Sequence, residues 1–383
     1  MERPDILIIG GGVFGLATAR ACLVAGARVM LVERAHPGSG ASGTPVGALV
    51  PMGPEPWSPI KALQLAGLRS LPGYVSTLEA ETGLGTGYAK TGRILGLPDR
   101  EARARAARQC NAAGRWDGAG TLRLLDKPEP SWAGLLSPEA RAAGLQHDSL
   151  SARIDPTAYL EALVASVARL GALRLGARCT RLTSGGAEIE GTLVSSGAVV
   201  LATGAESAAW IGHDLVGEKG QAAELEASLP ANAPVITAPG LYIVPHGPGR
   251  VAVGSTAERT WSSDSPDALL DGVIAKARAL CPALAEAPVR HRWAGIRPRA
   301  PRAGPLVGPV PGRPGLWLAT GGYKIGFALA HLVGEVLAAG LTGAPMPPAA
   351  ANLTPIETHW ATLNAQTAGN AHETAQKGRE SSR

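Results

Sequence analysis

Asp5-Ile-Leu-Ile-Ile-Gly-Gly-Gly-Val-Phe-Gly15 reads as a buried strand, 6–9, running straight into a glycine turn. The turn carries Gly10-x-Gly12-x-x-Gly15, and a helical pattern follows through Leu16, Ala17, Ala19, Arg20, Ala21, Leu23 and Val24. Gly26 ends that helix, and a second apolar strand, 28–32, leads to Glu33. Each part suits the gripping of a dinucleotide. Gly10 permits the tight turn, Gly12 lets the backbone approach a pyrophosphate, and Gly15 lets the helix pack close on the strand. The helix N-terminus, with Val13 and Phe14, offers N–H groups and partial positive charge to the phosphates. Glu33 is placed to accept hydrogen bonds from ribose hydroxyls. In a chain with 50 glycines the spacing alone says little. Strand, helix, second strand and terminal acid in this order make it specific.

Directly after Glu33-Arg34 comes Pro37-Gly-Ser-Gly-Ala-Ser-Gly-Thr-Pro-Val-Gly47, a second small-residue loop. Such loops let backbone amides close around a ligand, and the position favours a cofactor extending beyond the pyrophosphate. Ser42 and Gly43 are its candidate contacts, with Arg34 beside them. An ordinary flexible surface loop is the alternative.

The 383 residues suggest two to three domain-sized units. A hydrophobic content of 45% with 17% charged residues fits a globular soluble protein. The net charge of +5 suits anionic ligands without indicating nucleic acid. Cys22, Cys110, Cys179 and Cys281 lie far apart, so no metal or redox CxxC motif exists, and a reducing, cytoplasmic compartment is expected. No signal peptide and no uninterrupted membrane span are visible: Arg20 breaks the first apolar run, and His331 and Glu335 break the last.

Helices are expected over 58–80, 100–115, 156–170, 266–279 and 323–341, the third with Asp155 as its cap and Pro156 at its first position. The basic helix 100–115 reads as a solvated face rather than an anion site. Strands are expected at 88–97, 172–175, 179–183, 187–189, 192–195, 221–225, 235–237, 241–245 and 250–255; residues 117–150 show no clear period. The segment 289–302 is the most basic, with Arg290, Arg292, Arg297, Arg299 and Arg302. From Ala361 the tail, 361–383, lacks apolar periodicity and is expected to be disordered. Apolar strands ending in small-residue turns recur at 6–12, 198–204 (with Thr203 and Gly204) and 316–322. They can share one sheet only if the chain leaves and returns. That implies a discontinuous cofactor domain of 1–90, 150–216 and 292–345, with 91–149 and 217–291 forming a second domain.

Four further stretches follow the opening unit in a fixed order: Leu241-Tyr-Ile-Val-Pro245, Val253-Gly-Ser-Thr-Ala-Glu258, Trp293-Ala-Gly-Ile-Arg-Pro298 and Ala319-Thr-Gly-Gly-Tyr-Lys-Ile-Gly326. Together, to about residue 345, the chain resembles the FAD-dependent amine oxidases of the D-amino acid oxidase superfamily, in particular the glycine oxidase-like branch. The resemblance implies an α/β (α+β) architecture: a discontinuous Rossmann-like FAD-binding domain plus an antiparallel-sheet substrate domain. It implies non-covalent FAD and no metal. It makes Tyr242 a contact of the substrate carboxylate and Arg297 its bidentate clamp. It lays the turn of Gly322, Lys324, Ile325 and Gly326 over the flavin ring, and brings the backbone near Cys179 to the adenine. Where glycine oxidases often carry Arg and His, this chain has Lys324 and Gly322, which leaves the identity of the amine open.

Residue chemistry agrees. A planar Arg fork matches a carboxylate better than Lys does; a surface ion pair is the alternative for Arg297. Tyr242 in an apolar strand needs a partner for its hydroxyl, or is a core Tyr. Lys324 can ease negative charge on a flavin, or is a solvated lysine. The expected reaction is oxidation of a small amino acid or secondary amine, the neutral amine giving hydride to flavin N5 and leaving an imine that water hydrolyses. Oxygen or another acceptor then takes the electrons. The alternatives are the flavin subunit of a hetero-oligomeric amino-acid dehydrogenase, a tRNA-modifying FAD oxidase, and an NAD-binding protein without flavin. No RNA-binding module is visible, and homo-oligomerisation is left open.

Overall fold

The computed structural model describes residues 3–212, 215–301, 304–349 and 353. Arg302 and the tail 361–383 lie outside the described residues. The chain opens with β1 (Ile6–Ile9), α1 (Val13–Val24) and β2 (Val29–Glu33), then β3 (Ala48–Leu49) and the long α2 (Pro59–Thr82). Next come β4 (Arg93–Gly96), α3 (Arg100–Asn111), β5 (Leu122–Leu125), β6 (Leu145–Asp148) and β7 (Ala152–Arg153). After α4 (Pro156–Leu170) follow β8 (Ala172–Leu175), β9 (Cys179–Thr183), β10 (Gly186–Ile189), β11 (Thr192–Ser195), β12 (Ala198–Leu201) and the short α5 (Ser207–Ile211). Four strands then run together: β13 (Val216–Leu225), β14 (Val235–Ala238), β15 (Leu241–Pro245) and β16 (Val251–Gly254). The chain continues with α6 (Leu269–Leu280), β17 (Val289–Arg299), β18 (Leu306–Pro309), β19 (Leu316–Thr320) and α7 (Gly326–Thr342).

Six strands form one sheet in the order β18-β19-β12-β1-β2-β8. All neighbours are parallel except β18 with β19. The three strands that end in small-residue turns are therefore adjacent. Ile9 pairs with Leu201, and Leu201 with Leu318, so all three turns emerge at one carboxyl edge. Open α/β sheets bind ligands at such an edge. Both faces are covered, which is why β1 and β2 are apolar throughout. Ile6, Ile8, Val29 and Leu31 face α1, α2, α4 and α7; Leu7, Ile9, Met30 and Val32 face the small sheet β11-β10-β9.

The other large sheet has eight strands, β17-β13-β16-β15-β14-β4-β6-β5, antiparallel except for β14 with β4. Alternation puts Ile94, Ile236, Ile243 and Val253 on the face that packs on Leu270, Ile274 and Ala277 of α6. Arg93, Tyr242, Ala222, Gly220 and Arg297 belong to the opposite face. This sheet includes residues 292–299, which the sequence pattern assigns to the cofactor pieces.

Some elements differ from expectation. The strand expected over 88–97 shortens to Arg93–Gly96, and β13 begins five residues before Gln221. Residues 117–150 hold β5 and β6. β6 is buried on both faces and one of them is polar, so the period-2 signal is erased: Asp148 pairs with Arg93 at 2.7 Å, and Gln146 accepts from Arg93 at 3.2 Å. The helix expected from 323 begins at Gly326, because Tyr323 sits at φ 44° and turns the chain first. Among the described residues no helix is long and apolar enough to cross a membrane.

Candidate active site

The βα turn closes on itself through missing side chains. Gly10 has φ +113°, and a Cβ there would stand 2.5 Å from the Ala202 carbonyl oxygen. A Cβ on Gly15 would stand 2.0 Å from the Gly10 oxygen, so α1 rests directly on the turn. Gly12, the N-cap of α1, faces open space instead: its Cβ would meet only Ser42 Oγ, at 3.3 Å. Ser42 in turn accepts the Val13 N–H at 3.0 Å, drawing the second glycine loop against the helix N-terminus. Gly12, Val13, Phe14 and Ser42 line a cavity; of the expected residues Gly15 and Gly43 do not.

Glu33 ends β2, 7% exposed, on the cavity wall. Its Oε2 accepts the Gly11 N–H at 2.7 Å and its Oε1 the Ala35 N–H at 2.9 Å. The acid therefore shapes the turn as well as facing the ligand space. Arg34 makes a bidentate pair with Glu206, at 2.5 and 2.7 Å, and both line the wall. Cys179 is buried, and burial pushes its thiol pKa up. The Thr203 hydroxyl lies 2.9 Å from Ser207 Oγ, and the Gly204 carbonyl accepts from Thr320 at 2.8 Å. Cys179, Thr203 and Gly204 all reach the cavity.

At its other end the cavity meets the eight-stranded sheet. Tyr242 on β15 and Arg297 on β17 are on the wall there. Arg297 is 9% exposed and lies over Gly220 of the neighbouring strand. Its Nη2 donates to Ser255 Oγ at 2.8 Å and its Nη1 to the Thr256 carbonyl at 3.1 Å. Burial draws its pKa down, against the pull of Glu218. Glu218, 3.6 Å from Arg297 and 3.4 Å from Lys324, accepts the Tyr323 hydroxyl at 2.7 Å. Burial pushes its carboxyl pKa up, but the Tyr323 hydrogen bond and the two cations outweigh this and hold it below the ordinary value. The next residue, Lys219, is fully buried and pairs with Asp267 at 2.6 Å, while its backbone exchanges hydrogen bonds with Glu258, just after Ser255 and Thr256.

The turn after β19 supplies Gly322, Lys324, Ile325 and Gly326 to the wall. The Ile325 N–H donates to the Gly322 carbonyl at 2.9 Å, and Tyr323 N–H to Pro298 at 3.1 Å. A Cβ on Gly322 would stand 2.6 Å from the Phe14 ring, so the turn sits tight on α1. The structure thus brings the expected residues of both ends, Gly15 and Gly43 apart, into one cavity of about 1630 Å³. That exceeds an ordinary small-ligand pocket of roughly 300–1,000 Å³ and suits a dinucleotide with a substrate beyond it. The donor set fits FAD: an open glycine at a helix N-terminus, a carboxylate at the strand end, and a small-residue turn at the far side. Glu206, Glu218 and Gly220 carry no sequence motif; the only trace of the last two is an unusually charged run, Glu218-Lys-Gly-Gln221, entering a strand.

Comparison with known proteins gives the same picture. Residues 5–340 match the family model described as FAD dependent oxidoreductase. The glycine oxidase of Pseudomonas aeruginosa is 33% identical over 364 residues, covering 88% of this chain and 94% of that protein. The tRNA 5-methylaminomethyl-2-thiouridine biosynthesis bifunctional protein MnmC of Acidovorax sp. is 30% identical, covering 89% of this chain but 58% of that protein. The crystal structure of glycine oxidase from Geobacillus kaustophilus superposes with a TM-score of 0.79 at 27% identity, covering 90% of this chain and 96% of that one.

Proposed function

Because the chain belongs to the family of FAD-dependent oxidoreductases, we propose that it oxidises a small amino acid or secondary amine at the end of the cavity where Tyr242 and Arg297 meet. One observation supports this most: a cavity that begins at an open glycine turn ends at a buried arginine whose fork is already fixed. The six-stranded sheet and its helices form the FAD-binding domain, from 1–90, 150–216 and 300–345. The eight-stranded sheet, with 292–299 added to 91–149 and 217–291, forms the substrate domain.

FAD, when bound, supplies the hydride acceptor. Gly12 and the α1 N-terminus would hold its pyrophosphate, and Glu33 its ribose. Arg297 takes the substrate carboxylate through two parallel N–H···O bonds, and Tyr242 donates its hydroxyl to the same group. Exclusion of water strengthens that pairing. Lys324 offers positive charge from the turn after β19. No strong protein base is required, because the amine reacts neutral; the imine then takes up water and splits to a carbonyl compound and the free amine. Oxygen or another acceptor would be needed to reoxidise FAD. Arg290 is paired with Glu226 and Arg292 with Asp271, which takes two of the segment's arginines away from a tRNA backbone. The four cysteines are unpaired, which suits a cytoplasmic setting.

The test compares an amino acid with a plain amine. Arg297→Ala should lose about 2–5 kcal/mol in binding the amino acid, as truncated buried charge pairs do. Arg297→Lys should lose less, and FAD content should hold in both. Equal loss on the plain amine would assign Arg297 to the flavin or the fold.

A further inference from the structure

Glu218 has no part in the reaction as drawn, yet it touches both cations on the substrate wall. On β13 it is the direct partner of Arg297 on β17. The next residue on its face is Gly220, so nothing separates the carboxylate from the guanidinium. Its side chain is 6% exposed, with Arg297 Nη1 at 3.6 Å and Lys324 Nζ at 3.4 Å. The Tyr323 hydroxyl holds the same oxygen at 2.7 Å, while the Tyr323 ring lies 5.0 Å from the Lys324 ammonium. The remaining contacts of Arg297, Ser255 Oγ and the Thr256 carbonyl, are neutral. Glu258 and Asp267 lie against Lys219 at 3.8 and 2.6 Å, and Glu258 also pulls on Arg297.

We propose that Glu218 is a positioning residue that orients Arg297 and Lys324 from behind the wall and, by offsetting one of their two charges, makes the site select ligands with one carboxylate over ligands with two. The inference rests on Arg297 being the carboxylate anchor. Among Arg297, Lys324 and Glu218 one cationic charge is left over, and a first carboxylate balances it. A second finds no excess positive charge and stays in the field of Glu218. At a separation of about 12 Å and an effective dielectric near 20, one unit charge changes the affinity for an added carboxylate about tenfold, and at shorter separations by more.

The experiment titrates the FAD-loaded protein with acetate and with malonate, reading the flavin absorbance. Glu218→Gln keeps an oxygen for the Tyr323 hydroxyl and removes the charge; it should strengthen malonate relative to acetate about tenfold or more. Glu218→Asp keeps the charge and should keep the wild-type ratio. Lys324→Met, at a 45% exposed side chain, gives a second reading with opposite sign: malonate should weaken relative to acetate. A ratio unchanged in both Glu218→Gln and Lys324→Met, with acetate still bound, would overturn the role of Glu218 and leave the anchor standing. No spectral response to acetate in the wild-type protein would remove the anchor, and this proposal with it.

Discussion

The guanidinium of Arg297 lies face-on over the backbone of Gly220. A Cβ at position 220 would stand 1.9 Å from Nη2, 2.0 Å from Cζ and 2.2 Å from Nη1. The seat exists because β13 offers no side chain there. Gly220→Ala should therefore push the guanidinium off Ser255 and Thr256. The loss of one charged hydrogen bond, about 1.5–3 kcal/mol, should raise KM for an amino acid roughly tenfold or more. FAD content and turnover of a plain amine should change little. Unaltered amino-acid kinetics in Gly220→Ala would contradict the seat.

Gly12 and Gly15 belong to one fingerprint but should fail differently. A Cβ on Gly15 collides with backbone, so Gly15→Ala should destabilise the fold by at least the about 1–3 kcal/mol of overpacking. Gly12 has only Ser42 Oγ near it, so Gly12→Val should fold and purify colourless. Thermal melts beside flavin absorbance separate the two. Full FAD content in Gly12→Val would remove the pyrophosphate assignment.

His331 on α7 is 1% exposed, with Nε2 2.7 Å from Ser70 Oγ, and burial draws its pKa down to about 3. The unfolded chain binds that proton near pH 6.5, as free histidine does. The stability tied to neutral His331 is thus present above about pH 6.5 and is lost as pH falls toward 3, by up to about 1.4 kcal/mol per pH unit. His331→Gln should flatten that slope. Denaturant unfolding of both proteins at several pH values across the window checks it, and parallel curves would show that His331 does not titrate on unfolding.

The cofactor end was legible in the sequence because its information is local. β1, α1 and β2 lie within one βαβ unit, and the other two small-residue turns each follow their own apolar strand. Asp155 capping α4 and the strands from Ala172 to Leu201 are equally local signals. Arg297 and Tyr242 came from short ordered motifs, not from any visible pairing between them.

Tertiary structure alone decided the rest. Val216–Lys219 enters β13 with charged residues that no strand pattern admits, since Glu218 is stabilised by Tyr323 and Arg297, and Lys219 by Asp267. β6 hides its period because Gln146 and Asp148 are buried beside the charge of Arg93. The basic segment becomes a strand whose arginines find Glu226, Asp271 and the cavity. Backbone periodicity and turn chemistry act over a few residues and can be read along the chain. Buried charge is tolerated only beside its partner, and those partners arrive from tens to more than a hundred positions away.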